Sequence, residues 1–136
     1  MSGVLLDTCA LIWIMNGDKI DEEALAAVEF AARNKQLFVS PISAWEVATL
    51  TAKGRLSLTM DPADWFDRAL ACAGMNLAPM PPATLIASAF LPADPPRDPA
   101  DRIIIATARR ENLKIVTRDR LILDYGALGN ARILRC

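Results

Sequence analysis

The stretch "DPADRIIIATARRENLKIVTRDR", residues 98–120, joins a helix to a strand with almost no connection between them. Asp98 suits a helix cap, Pro99 fits the first helical position and Asn112 stands near the stop, which predicts a helix over 99–112. The apolar run "LKIVT" (113–117) reads as a strand, and "RDRLILDYG" as a turn and a short helix. A final strand is expected at "ARILR", 131–135.

The same alternation runs back to the start of the chain. "GVLLD" (3–7) is a short apolar run ending in an acid, as a buried parallel strand would be. "TCALIWIMNG" follows as a short helix stopped by Asn16-Gly17, and "DEEALAAVEFAARN" (21–34) as a second helix with an acidic first turn. "LFVS" (37–40) is the next strand, and helices are expected at 42–53 and 62–73. "MNLAPM" (75–80) reads as a short strand, 81–90 as a helix opening on proline, and 91–99 as a proline-stiffened loop. Strands alternating with helices predict an α/β fold, a mostly parallel sheet of four or five strands covered on both faces. The 136 residues fit one domain, 1–136.

Composition narrows the chemistry. The net charge is −1, which argues against binding nucleic acid by bulk positive charge alone. Between Arg97 and Arg120, however, seven basic residues face four acidic ones, so that segment is either a solvated helix face or a phosphate-contacting surface. There is no histidine, which excludes Ser-His-Asp and Cys-His catalysis and histidine metal ligation. Cys9, Cys72 and Cys136 are an odd number at wide spacing, which fits reduced thiols and a cytoplasmic location better than disulfides or zinc. The apolar start carries Asp7 and lacks a basic flank, unlike a signal peptide. Prolines break the uncharged run 69–93, so no membrane span is expected.

Four acids fall where such a fold gathers its ligands, at the carboxyl ends of the strands. Asp7 ends the first strand and Asp119 follows "LKIVT" by two residues. Asp101 lies in the first turn of helix 99–112. Glu46 lies one turn into the helix after "LFVS", within a stripe formed by Ile42, Trp45, Val47, Thr49 and Leu50. Asp7 and Asp119 have a structural explanation as helix caps, and Asp101 as a first-turn acid favoured by the helix dipole. Glu46 has neither, and an unpaired glutamate on a core-facing stripe calls for a cation opposite. An oxygen-only cluster suits a hard divalent ion, Mg²⁺ or Mn²⁺. One ion or two would fit, and hydrolysis of a phosphodiester is the chemistry such a site supports.

The blocks "LLDTCALIW", "SPISAWEVA", "DPADRIIIATA" and "IVTRDRLIL" resemble, in order and spacing, the four motifs of PIN-domain proteins, most closely the VapC-type ribonuclease toxins of toxin–antitoxin pairs. The resemblance implies that Asp7, Glu46, Asp101 and Asp119 bind Mg²⁺ or Mn²⁺ and activate water against RNA, with Thr8 and Thr117 bracing them. It further implies a homodimer and a cognate antitoxin. One departure is Pro96, where many such proteins carry histidine. Asp98 is read as cap and outer support for Asp101, and Arg102, Arg118 and Arg120 as RNA-contact candidates or solvated side chains. Two other readings stay open. Asp7 as a phosphorylated nucleophile is weakened by Cys9, where HAD-type phosphatases need a second acid. A catalytically silent binding module would use these acids as caps alone, with a partner on the apolar surface that includes Trp13, Trp45 and Trp65.

Overall fold

A computed structural model describes residues 3–72 and 74–136. The expected end of the fourth helix at Ala73 and the side chain of Cys72 lie outside the described residues. Five strands, β1 (Val4–Leu6), β2 (Leu37–Val39), β3 (Asn76–Leu77), β4 (Lys114–Thr117) and β5 (Ile133–Arg135), form one sheet in the order β3-β2-β1-β4-β5. Every pairing is parallel, and β1 sits in the middle, with Leu5 opposite Phe38 on one side and Ile115 on the other.

The helices are α1 (Thr8–Asn16), α2 (Glu22–Arg33), α3 (Pro41–Ala52), α4 (Pro62–Cys72), α5 (Pro82–Ala89), α6 (Pro99–Glu111) and α7 (Arg120–Ala127). Their ends follow local chemistry. Ser40 caps α3 through its hydroxyl, which accepts from Ile42 N, and Pro41 opens the helix. Gly17 ends α1 and Asn112 ends α6, both in the left-handed region at φ 74° and 56°.

Alternating strand residues divide the interior into two layers, because successive side chains leave a strand on opposite faces. Val4, Leu6, Leu37, Val39 and Val116 pack with α1, α2 and the inner faces of α3 and α4. Leu5 and Ile115 pack the other face with Ile104, Ile105 and Ala108 of α6 and with Ile122 and Tyr125 of α7. With both faces covered, β1 is almost wholly buried, which is why its sequence is apolar without alternation.

One expectation fails on α3. Trp45 is 61% exposed, while Ser43 and Val47 carry the buried face with Ala44 and Leu50 beside them. This helix is apolar on nearly every side, so periodicity gives little direction, and the sheet decides which face turns inward. Glu46 is half-buried at the border of that face. Among the described residues no helix is long and apolar enough to cross a membrane.

Candidate functional site

The carboxyl edge of β1, between β2 and β4, is where the strand order reverses, and helices enter from both sides. A cavity of about 190 Å³ opens there. Asp7, Glu46, Asp101 and Asp119 all line it, with Thr8, Cys9, Trp13 and Arg118. Four acids separated by as many as 112 positions thus share one cavity.

Asp7 is 5% exposed and follows β1 directly. Its Oδ1 accepts from Ala10 N at 2.8 Å, capping α1, and its Oδ2 accepts from the Thr117 hydroxyl at the end of β4. Thr117 Oγ1 in turn accepts from Asp119 N at 3.0 Å, so one hydroxyl joins two of the acids. Asp119 caps α7 through Ile122 N at 3.0 Å. Capping and cavity-lining therefore coexist in Asp7 and Asp119; the two explanations are not exclusive.

On the opposite wall the Thr8 hydroxyl bonds Glu46 Oε1 and also lies 2.8 Å from the Ser43 hydroxyl. Ser43 is fully buried and stands three residues before Glu46, on the same side of α3. Sequence reasoning missed it, although that spacing was the available signal. Cys9 and Trp13 were also missed as cavity residues, and they are four apart on α1.

Crowding shows in the protonation of these groups. Burial, then the charges of Asp98, Asp119, Glu46 and Asp7, push Asp101 up to about 7. Burial also raises Asp7, against the bonds from Thr117 and Ala10 N, and the Asp119 charge adds to the rise. Glu46 is raised by burial and by Asp98 and Asp7, opposed by its bond from Thr8. Burial and the four carboxylates together push the Cys9 thiol to about 11, which keeps it protonated and unreactive at neutral pH.

The remaining candidates are dispersed. Asp98 caps α6 through Ala100 N at 2.8 Å and borders a neighbouring cleft with Trp45, Glu46 and Lys53, outside the cavity lining. Arg102 Nε donates to the Pro96 carbonyl at 2.7 Å, tying the proline loop to α6. Arg120 is exposed at the start of α7, and Arg118 alone of the three arginines lines the cavity.

The donor set is oxygen-rich, which suits a hard divalent cation. Among the described residues no three His, Cys, Asp or Glu side chains are already arranged as a cage for a metal ion. Mg²⁺ does not require one, since it commonly takes one or two carboxylates and keeps several waters. The residues fit on that basis.

Residues 4–128 match the PIN domain family model. The chain is 34% identical over 127 residues to Ribonuclease VapC22 of Mycobacterium tuberculosis (strain ATCC 25618 / H37Rv), an overlap of 92% of this chain and 93% of that one. Its backbone is similar to solved structures of VapBC2 from Rickettsia felis bound to a promoter DNA fragment (TM-score 0.68, 14% identity, 97% of this chain and 98% of that one). FitAcB from Neisseria gonorrhoeae is a second structural neighbour (TM-score 0.57, 18% identity, 96% of each). The match spans β1 to α7 and includes all four carboxylates, and the chain belongs to the PIN-domain family.

Proposed function

We propose that this chain is a Mg²⁺- or Mn²⁺-dependent endoribonuclease that acts in the cytoplasm as the toxin of a toxin–antitoxin pair, as a homodimer held in check by a cognate antitoxin. One observation carries the reading: Asp7, Glu46, Asp101 and Asp119 converge on a single cavity that contains no histidine. The similarity to a ribonuclease over nearly the whole chain supports RNA as the substrate. The antitoxin partner is supported by the VapBC2 and FitAcB neighbours, whose fold this chain shares.

Asp7, Glu46, Asp101 and Asp119 are the residues that would hold the ion. When bound, Mg²⁺ or Mn²⁺ supplies an activated water and stabilises charge on the phosphate. The chain's own residues prepare the site. Thr117 and Ala10 N fix both oxygens of Asp7, and Thr8 fixes Glu46, so two carboxylates are oriented before any ligand arrives. Mutual repulsion among the acids favours a doubly charged guest. Asp98 adds to that field from outside the cavity. Arg118 and Arg120 flank Asp119 and Arg102 follows Asp101, which makes them the candidates for backbone phosphate contacts.

The test is cleavage of total RNA and of synthetic oligonucleotides by wild type, Asp7→Asn and Asp101→Asn, with Mg²⁺, Mn²⁺ or EDTA. Wild type should cut with either ion, EDTA should stop it, and each variant should lose at least about a hundredfold in rate. Cleavage indifferent to EDTA and to both substitutions would reject the reading. Phosphorylation of Asp7 is the weaker alternative, because Cys9 stands where HAD-type phosphatases need a second acid. A stable beryllium fluoride adduct at Asp7 would favour it.

A further inference from the structure

Arg118 is the one basic side chain among the described residues lining the cavity. A guanidinium beside several carboxylates gains most by a forked hydrogen bond to one of them. Arg118 does something else. Its Nη2 donates to the Cys136 carbonyl at 2.9 Å and reaches the Lys19 carbonyl at 3.5 Å, while its Cζ lies 4.1 Å from the centre of the Trp13 ring. None of these partners is a side-chain carboxylate of the cavity, and the Lys19 carbonyl and the indole face are neutral. The arginine charge is thus held at the cavity edge by an indole face and two main-chain groups.

We propose that Trp13 is a positioning residue for the ribonuclease reaction: it keeps Arg118 off the carboxylates, so that the guanidinium binds a phosphate of the RNA backbone. The inference rests on the reading of RNA as substrate given above. A polyanion approaching four acids meets repulsion, and a fixed cation at the rim offsets it. Trp13 is half-buried and lines the cavity, whereas Arg118 is exposed, so the pair is anchored at one end and open to ligand at the other. Without the ring face, Arg118 can turn toward the nearby carboxylates. The phosphate contact is then lost and the acids acquire an internal partner.

The experiment is steady-state cleavage of a short fluorogenic RNA over a range of salt by wild type, Arg118→Gln, Trp13→Leu, Trp13→Phe and the Trp13→Leu/Arg118→Gln double variant, each checked by thermal melting. Arg118→Gln and Trp13→Leu should each raise KM roughly tenfold, with kcat within about twofold of wild type. Each should also reduce the slope of log affinity against log salt by about 0.7, the share of one phosphate on a single strand. Trp13→Phe, which keeps a ring face, should retain most of the wild-type KM, and the double variant should be no worse than Arg118→Gln. If Trp13→Leu melts below the assay temperature, Trp13→Met refills the volume without a ring and gives the same comparison. A fall in kcat with KM unchanged, full additivity in the double variant or an unaltered salt slope overturns the proposal and leaves Trp13 as packing. Wild type that cuts no RNA overturns the ribonuclease reading itself, and the positioning role with it; wild type that cuts beside an indifferent Trp13→Leu rejects only the positioning role.

Discussion

At the scale of single residues, the site depends on a carboxylate having two oxygens. Asp7 uses one to cap α1 and the other to receive Thr117, so a reading that offers cap or functional acid as alternatives poses a choice the residue does not have to make. Thr117 is fully buried and serves both Asp7 and the Asp119 amide. Thr117→Val should therefore destabilise the fold by about 1–3 kcal/mol in urea titration, because it leaves buried polar groups without partners. Cleavage should fall as well, since Asp7 loses its orientation. Asp101 gives a pH signature. Unfolded, it titrates near 3.8; folded, burial and its acidic neighbours place it at about 7. Below the lower value both states are protonated and there is no difference. Between the two values the folded chain keeps a proton that the unfolded chain has released, so stability falls as pH rises through this window and levels off above it. Without divalent ions, the Tm should drop between about pH 4 and about pH 7, and Asp101→Asn should make that slope shallower. Asp7 and Glu46, raised in the same sense, account for the slope that remains.

At the scale of elements, helix α6 shows how much could be read in advance. Its Asp98 cap, opening proline and Asn112 stop are all local signals, and the helix forms at Pro99–Glu111 as they indicate. Asp98 has a second effect through space, raising Asp101 and Glu46. Asp98→Asn keeps a capping side chain and removes the charge, so carboxyl titration by NMR should show Asp101 moving down with little change in Tm. Asp98→Ala should lower Asp101 and also cost about 1 kcal/mol for the lost cap. The orientation of α3 was not legible. Helix position alone cannot tell Trp45 from Val47 as the inward residue when most neighbours are apolar, and the sheet places Val47 inside. Helix α7 meets β5 equally closely. A Cβ on Gly126 would stand 2.6 Å from Ile133 Cγ2 and 2.9 Å from its Cγ1, atoms of a stiff β-branched side chain. Gly126→Ala should destabilise by about 1–3 kcal/mol, measurable as a lower urea midpoint.

At the scale of the whole molecule, alternation of apolar runs and helices made the sheet legible, but strand order came only with the structure. That order matters because β1 in the centre brings the ends of β1 and β4 together and turns α1, α3 and α6 toward one edge. The contact between Arg118 and Trp13 joins residues 105 positions apart, and no local pattern announces such a pair. Binding of Mn²⁺ should raise the Tm of wild type, by about 2.7 kcal/mol of stabilisation at a hundredfold excess over Kd. The shift should grow from pH 5 to pH 8, roughly the range over which the acids lose protons, and should be small in Asp101→Asn. The central place of β1 has a consequence for biosynthesis. β1 must wait for one of its two neighbours until more than a hundred further residues have been made, because Val4 pairs with Lys114. Asp7 therefore meets Thr117 only after β4 has been made, and the carboxyl edge of β1 is among the last parts of the sheet to be assembled.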